Sequence, residues 1–252
     1  MPAGKHNSEY QMSCYQYLKG CLDRIDTLCS SEHNGECRVF KKVLIYSFIE
    51  GLAKSAAIET RHINKMQQLI TELGKWQDAD RVSLPHLCRW LDLRPDSMPQ
   101  KHIMHYKVML GQWGDGELRT SADDPRREDV KRHICKNAND LRNITHAGLL
   151  SHQRNCLVHE FMHNGVNLES PEDDIPSYML IGSLSLDPGS RLTPQKQTWQ
   201  LFYPTGFLMR LARQCLEGAK RHWIKNDIDP RKYYSLGNYL WPELNSRTQA
   251  SC

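Results

Sequence analysis

The stretch "GLLSHQRNCLVHEFMHNG", residues 148–165, predicts a helix that ends at the turn-favouring pair Asn164-Gly165. Two polar patterns overlap inside this helix. From His159 the sequence is H-E-x-x-H, and from Arg154 it is R-N-x-x-x-H, which ends at the same His159. The two patterns imply different chemistry, so the rest of the chain has to decide between them.

Helical periodicity extends through most of the chain on both sides of this stretch. Apolar residues recur at helical spacing in the segments 9–29, 37–59, 60–76, 83–93, 124–147 and 205–226. Pro, Gly and acidic residues interrupt 94–124 and 166–200, where the run 177–186 is typical of a strand. The sequence therefore predicts a mainly α protein, a helical bundle with irregular or small β insertions.

The domain organisation follows from the same pattern. A chain of 252 residues is long enough for one large domain with a sizeable core. We expect a single helical domain over residues 1–230, with variable insertions at about 94–124 and 166–200. Residues 231–252 are predicted to form a C-terminal tail.

Three local expectations can be stated closely enough to be checked. In the second helix, the predicted buried stripe is Phe40, Val43, Leu44, Ser47, Phe48, Gly51 and Leu52. Asp124 followed by Pro125 predicts the start of the helix over 124–147, with the aspartate as its cap. The run "HYKVMLGQW" (105–113) is compatible with a strand or a loop.

The composition is that of an ordinary globular protein, with 39% hydrophobic and 25% charged residues. A formal charge of +4 permits a polyanionic partner but does not by itself indicate one. The nine cysteines include no C-x-x-C pair, and neither a secretory signal nor a membrane span is evident. We therefore expect a cytoplasmic protein with free thiols and no membrane partner.

The first pattern, H-E-x-x-H, is the signature of helical zinc proteases. His159 and His163 lie one turn apart and suit Zn²⁺, with Glu160 as the general base. A catalytic zinc takes a third protein ligand, and the extended form of the motif would place Gly at 166 and His at 169. This chain has Val166 and Glu169, so the zinc metalloprotease is kept as an alternative only.

The second pattern supplies the groups that phosphodiester chemistry needs without a metal. Arg154 offers a permanent charge and a planar fork that fits phosphate, and His159 titrates near neutral pH. Asn155 lies one turn before His159 and can orient its ring. Arg154 and His159 are separated by about 140° around the helix axis, so the long arginine side chain has to swing round to reach the histidine.

This second pattern resembles the hallmark of the HEPN (higher eukaryote and prokaryote nucleotide-binding) superfamily, R-x(4–6)-H with a polar residue after the arginine. Arg154, Asn155 and His159 match it, and "VLIYSFIEGLAKSAA" (43–57) is similar to an early helix of the family. The resemblance covers roughly 37–75 and 125–165.

The resemblance implies a metal-independent endoribonuclease without a cofactor. Arg154 would stabilise charge on the phosphate, His159 would transfer a proton, and Asn155 would orient or contact phosphate. The products would be a 2′,3′-cyclic phosphate and a 5′-hydroxyl. Glu50 is a possible supporting residue in the early helix. The family also implies a homodimer and, in a toxin or defence role, an antitoxin-like protein partner.

Further basic residues and a second motif complete the candidates. The RNA backbone could be held by Arg126, Arg127, Lys131 and Arg132. A near-match, "LRNITH" (141–146), is one residue too short for the family spacing and is interpreted as helix-end chemistry. Some HEPN domains bind RNA or nucleotides, or dimerise, without cleaving anything, so a non-catalytic module is the main alternative.

Overall fold

The chain folds into a mainly helical structure with a small antiparallel sheet, which confirms the predicted fold class. A computed structural model describes residues 4–28, 35–58, 64–114, 118–160, 174–186 and 192–233. Only the backbone is described at 4–7, 35–36, 159–160, 183–186 and 192–196.

The α-helices are α1 (Gly4–Thr27), α2 (Gly35–Ser55), α3 (Lys65–Gln68), α4 (Leu84–Leu93), α5 (Gln100–Gly111), α6 (Arg127–His133), α7 (His146–Glu160) and α8 (Thr205–Lys225). Helix α3 continues into a π-helical turn, Leu69–Leu73. Single-turn or short 3₁₀ segments lie at Pro95–Ser97, Ser121–Asp123, Ala138–Ile144 and Pro230–Tyr233. The predicted terminal helix over 205–226 and the short helix over 83–93 are both confirmed.

The sheet is built from β1 (Arg119–Thr120), β2 (Ser177–Leu186) and β3 (Leu192–Phe202), in the order β1-β2-β3. The strand predicted over 177–186 is confirmed, but the sequence analysis missed its partner β3. In β3, Pro194 and several polar residues hide the strand pattern. Such a strand is tolerated because it lies at the edge of the sheet, where prolines of β-sheets are usually found.

The main hydrophobic core lies between α1, α2, the α3 segment, α7 and α8. Trp223 of α8 and Leu22 of α1 are fully buried in it. Helix α8 approaches the π-helical turn backbone to backbone, because a Cβ on Gly218 would lie 2.1 Å from the carbonyl oxygen of Leu73. Only a glycine permits this approach, so Gly218 fixes how closely the terminal helix packs.

The stripe predicted for α2 is only partly right, since Leu52 is fully buried and Val43 and Phe48 pack against the core. Phe40 is 60% exposed and Leu44 is 40% exposed, whereas Ile45, Tyr46 and Ile49 are fully buried. Helix α2 packs against α1, α7 and α8, and its apolar residues occur on nearly every side. When apolar residues surround a helix, periodicity does not determine which face is turned to the core.

A second hydrophobic cluster lies beside the bundle and includes α5, in the segment 94–124 where irregular structure was expected. It is formed by α4, α5, α6 and the 3₁₀ segment that follows, with Leu87, Ile103 and Leu141 in its centre. The run 105–113, expected to be strand or loop, is mostly the second half of α5. Val108 in that helix is half exposed, so its apolar pattern does not mark one clear buried face.

The helix predicted over 124–147 is broken into α6, the 3₁₀ segment 138–144 and the start of α7. Asn137 adopts a left-handed backbone conformation (φ 62°), which an α-helix does not accommodate. Asp124 does not cap α6, since the N-cap is Arg126. The Oδ1 atom of Asp124 instead accepts a hydrogen bond of 2.7 Å from the backbone N–H of Leu84.

Cys37 is disulfide-bonded, so the expectation of free thiols is wrong at this position. The cysteines described as free are Cys14, Cys21, Cys88, Cys135, Cys156 and Cys215. Among the described residues, no helix has the length and apolar character that crossing a membrane requires. Most of the predicted tail, 234–252, lies outside the described residues.

Candidate functional site

Helix α7 is held against α2 by apolar packing and by polar contacts. Leu150 and Leu157 of α7 are fully buried in the main core. Between them, the hydroxyl of Tyr46 donates a hydrogen bond of 2.8 Å to Oε1 of Gln153. This packing fixes the rotation of α7 and turns Arg154, the next residue, toward α2.

Arg154 forms an ion pair with Glu50 of α2, through its Nη2 atom and the Oε2 atom of the carboxylate. The arginine side chain is only 15% exposed and the glutamate 30%. Oε1 of Glu50 also lies 3.4 Å from Nζ of Lys54, one turn further along α2. One carboxylate therefore lies between two cations, which leaves a net positive charge at this edge of the bundle.

The guanidinium also reaches round α7 to the neighbouring side chain. Nη1 of Arg154 donates a hydrogen bond of 2.7 Å to Oδ1 of Asn155. Asn155 and position 159 lie one turn apart on the same face of the helix. The structure thus brings Arg154, Asn155 and Glu50 together, and it includes position 159 in the last turn of α7. The side chain of His159 lies outside the described residues.

A cleft of about 620 Å³ opens beside Asn155, between α3, the 3₁₀ segment 138–144 and α7. Its lining residues are Asn64, Gln67, Asn139, Arg142, Asn143, Gly148, Ser151, His152 and Asn155, and we call it the amide cleft. Asn64 secures one wall, because its Nδ2 donates to Oγ of Ser151 (3.0 Å) while its Oδ1 caps α3. Among the residues that the structure describes, no carboxylate lines the cleft.

The 3₁₀ wall of the amide cleft packs directly on the first turn of α7. A Cβ at Gly148 would lie 2.1 Å from the carbonyl oxygen of Arg142 and 2.9 Å from the carbonyl carbon of Asn143. Glycine at 148 is therefore what allows the two segments to meet at this distance. The position of the Arg142 and Asn143 side chains depends on this contact.

A smaller pocket of about 310 Å³ adjoins the amide cleft and shares Gln67 and Arg142 with it. Of the four basic residues predicted to bind RNA, Arg127 lines this pocket, where its Nη1 lies 2.8 Å from a carboxylate oxygen of Asp80. Arg126 is the N-cap of α6, and the exposed Lys131 and Arg132 lie in its last turn. Arg132 pairs with Asp129 on the same helix, at 3.5 Å.

The sequence analysis missed the residues that form the 3₁₀ wall of the cleft. Arg142 and Asn143 belong to the near-match "LRNITH", and Asn139 lies three residues before Arg142. The signal was present in the near-match itself, which places an arginine and an asparagine side by side. It was interpreted as helix-end chemistry because its spacing to a histidine is one residue too short.

The histidine of that near-match, His146, belongs to a buried hydrogen-bond network. His146 is fully buried, with Nε2 2.7 Å from Oδ2 of Asp124 and Nδ1 3.1 Å from the hydroxyl of Tyr203. The hydroxyl of Tyr178 donates to the same Asp124 oxygen at 2.5 Å and lies 2.8 Å from Oγ of Ser83.

Burial raises the pKa of both tyrosines in this network well above the ordinary range, and the nearby Asp124 adds to the effect. Tyr178 and Tyr203 therefore stay protonated and act as hydrogen-bond donors. The network is closed to solvent at Asp124 and His146, so we assign it a structural role. It joins β2, α4 and α7.

The described residues contain no metal site, and the chain has no match among the proteins compared with it. No group of three or more His, Cys, Asp or Glu side chains there is placed to hold a metal ion. The zinc-protease residues, His159, Glu160 and His163, have side chains outside that part of the chain. Comparison with protein-family models, with curated proteins and with solved structures finds no match to this chain.

Proposed function

We propose that the protein is a metal-independent endoribonuclease of the HEPN type, with Arg154 and His159 as its catalytic residues. One observation carries the proposal. The guanidinium of Arg154 is fixed by Glu50 and Asn155 at the edge of a polar cleft, and the cleft-lining face of α7 includes position 159. An arginine, an amide and a histidine within two turns of one helix suit a phosphodiester better than an uncharged substrate.

The reaction needs neither metal nor cofactor. The ribose 2′-oxygen attacks the adjacent phosphorus, the bond from phosphorus to the 5′-oxygen breaks, and a 2′,3′-cyclic phosphate remains. His159 accepts the proton of the 2′-hydroxyl or donates a proton to the leaving 5′-oxygen. Arg154 stabilises the negative charge that builds up on the non-bridging oxygens through its two N–H groups.

Glu50 is a positioning residue in this mechanism. Its carboxylate holds one side of the guanidinium, so that the fork keeps one orientation before substrate binds. Lys54 lies against the same carboxylate and offsets its negative charge. Without that second cation, the ion pair would cancel the charge that a phosphate requires.

The same ion pair favours one alternative, a module that binds RNA without cleaving it. Arg154 is largely buried against Glu50, which is also the geometry of a structural ion pair. In that case the amide cleft would still bind RNA, but Arg154 and His159 would contribute no chemistry.

We further propose a homodimer in the cytoplasm, with helix α7 of each copy near the two-fold axis. Around α7, position 159 lies about 140° from Arg154, and a second copy can complete the site from the facing side. Phe40 and Leu44 provide exposed apolar surface on α2, the helix that carries Glu50. Light scattering at micromolar concentration tests this, and a strict monomer would exclude it. An antitoxin-like partner and a defence role are further expectations of the same proposal.

The function is tested with a single-stranded RNA labelled at its 5′ end, incubated with the full chain in excess EDTA. We expect cleavage that leaves a 2′,3′-cyclic phosphate and a 5′-hydroxyl. The matched substrate carries 2′-deoxyribose at the cleaved position, which removes the attacking oxygen, and we expect it to stay intact. Cleavage of the deoxy substrate, or activity that EDTA abolishes, would contradict the mechanism.

A further inference from the structure

The walls of the amide cleft are made of groups that recognise nucleobases. Carboxamides from Gln67, Asn139, Asn143 and Asn155 line it. Each carboxamide presents a donor and an acceptor side by side, which matches the hydrogen-bonding edges of the bases. Asn139 and Asn143 are exposed, and their side chains form no hydrogen bond with the described residues. Their amides therefore face the open cleft without losing an internal partner on binding.

The charge of the cleft favours an anion. Among the described lining residues, Arg142 carries a permanent positive charge and His152 is titratable. In the adjoining pocket, the carboxylate of Asp80 is paired with Arg127. A ligand with a base for the amides and a phosphate for the arginine fits this arrangement.

The shape of the cleft distinguishes single strands from duplexes. Its volume of about 620 Å³ lies within the range of small-ligand sites. A base inside a duplex has its Watson–Crick edge occupied, whereas an unpaired base can leave the strand and enter a concave site. Asn155, one of the lining residues, is bonded to Arg154, so a strand bound in the cleft would lie close to the proposed reaction centre.

We propose that the amide cleft binds one unpaired nucleotide of a single-stranded RNA, with the amides of Asn139 and Asn143 on the base and Arg142 on a phosphate. This inference rests on the proposed function for the identity of the polymer. It adds the form of the substrate and a recognition site that is separate from the catalytic pair.

The test measures binding by fluorescence anisotropy in a His159→Ala background, so that cleavage does not interfere. The probes are a labelled ten-nucleotide single-stranded RNA, the same RNA as a duplex, and AMP and UMP as competitors. We expect the double variant Asn139→Ala/Asn143→Ala, and separately Arg142→Ala, to weaken single-strand binding about tenfold or more. The duplex and the free mononucleotides should bind much more weakly than the single strand.

Matched controls remove the same chemistry elsewhere on the surface. Gln100→Ala removes an exposed amide on α5, and Arg221→Ala removes an exposed arginine on α8. Both should bind RNA as the background protein does. Circular dichroism melting confirms that each variant is folded. Asn139 and Asn143 are exposed, so their replacement should leave the melting curve unchanged even where Arg142→Ala shifts it.

The outcomes separate this inference from the proposed function. Unchanged binding in folded cleft variants, or equal binding of duplex and single strand, would overturn the cleft assignment. Cleavage by the wild-type chain would then still support the nuclease. A mononucleotide that binds as tightly as the oligonucleotide would assign the cleft to a free nucleotide and overturn the RNA substrate. Absence of both binding and cleavage with every RNA would overturn the two proposals together.

Discussion

Two segments of the chain, 142–146 and 154–159, carry an arginine, an asparagine and a histidine in the same order. In both, the asparagine lines the amide cleft. The histidines differ. His146 is fully buried between Asp124 and Tyr203, whereas position 159 lies on the α7 face that lines the cleft.

This difference shows what a short motif leaves undetermined. His146 begins α7, forms its hydrogen bonds with buried groups, and so holds separate segments of the chain together. We propose that the second histidine, at position 159 of the same helix, acts on a substrate instead. The first segment should therefore respond to mutation in stability, and the second in activity.

The largest expected effect is the loss of the buried histidine. His146→Ala should lower the free energy of unfolding by about 3–5 kcal/mol, since it removes one of the partners of the buried Asp124 carboxylate. Urea denaturation measures the loss. His105→Ala, at an exposed position on α5, should change stability by less than about 0.5 kcal/mol. A loss below 1 kcal/mol in His146→Ala would contradict the structural role of the network.

Arg154→Lys should affect activity rather than stability. Lysine keeps the charge next to Glu50 but lacks the planar fork, so we expect RNA cleavage to fall about 100-fold or more. The unfolding transition should move little, because a lysine can still pair with the carboxylate. Steady-state cleavage rates measure the effect, with Arg221→Lys as the control. Full activity in Arg154→Lys would remove this arginine from the mechanism.

Gly148→Ala tests the contact that joins the two segments. The added Cβ would meet the carbonyl oxygen of Arg142 at 2.1 Å, and the backbone has to move to relieve the clash. We expect a loss of about 1–3 kcal/mol together with weaker RNA binding. Gly20→Ala in α1 adds the same methyl group to open space and should stabilise the helix by about 0.5–1 kcal/mol. Equal stability of the two variants would show that the close approach is not present in solution.

The smallest effect concerns His86, which extends the buried network through a 2.7 Å contact with Ser83. Burial, with some help from the positive charge of nearby groups, lowers the pKa of His86 from 6.5 to about 4. The unfolded chain therefore takes up a proton before the folded one does, and stability is lost as the pH falls from about 6.5 to 4.

We expect His86 to account for a loss on the order of 1 kcal/mol across this pH window. His86→Gln should flatten the pH dependence of the urea midpoint between pH 6.5 and 4, and His105→Gln should leave it unchanged. An unaltered slope in His86→Gln would show that this histidine does not titrate at low pH.

Periodicity was sufficient for much of the fold. It predicted α4, α8 and the strand at 177–186, since each has one clear apolar face or a strongly β-forming sequence. It failed on the rotation of α2, which has apolar residues on several sides. It also failed at 124–147, where Asn137 breaks the helix and Asp124 bonds to Leu84 across the fold. Contacts of that kind connect residues far apart in sequence, and no local pattern encodes them.

Only one side of the candidate site was predicted, because the other side depends on tertiary packing. Arg154, Asn155 and Glu50 were named from the sequence, and the structure places them in contact. The opposite wall of the cleft, with Asn139, Arg142 and Asn143, depends on how the 3₁₀ segment packs on Gly148. That packing cannot be inferred from the composition of the segment.

The most direct test of the central claim compares three histidines of one region in a single RNA cleavage assay with excess EDTA. We predict that His159→Ala loses cleavage, that His163→Ala keeps it, and that His146→Ala keeps it at temperatures where the variant is folded. The purified wild-type protein should carry no stoichiometric zinc. Stoichiometric bound zinc, with equal loss of activity in His159→Ala and His163→Ala, would contradict the nuclease mechanism and support the metal site instead.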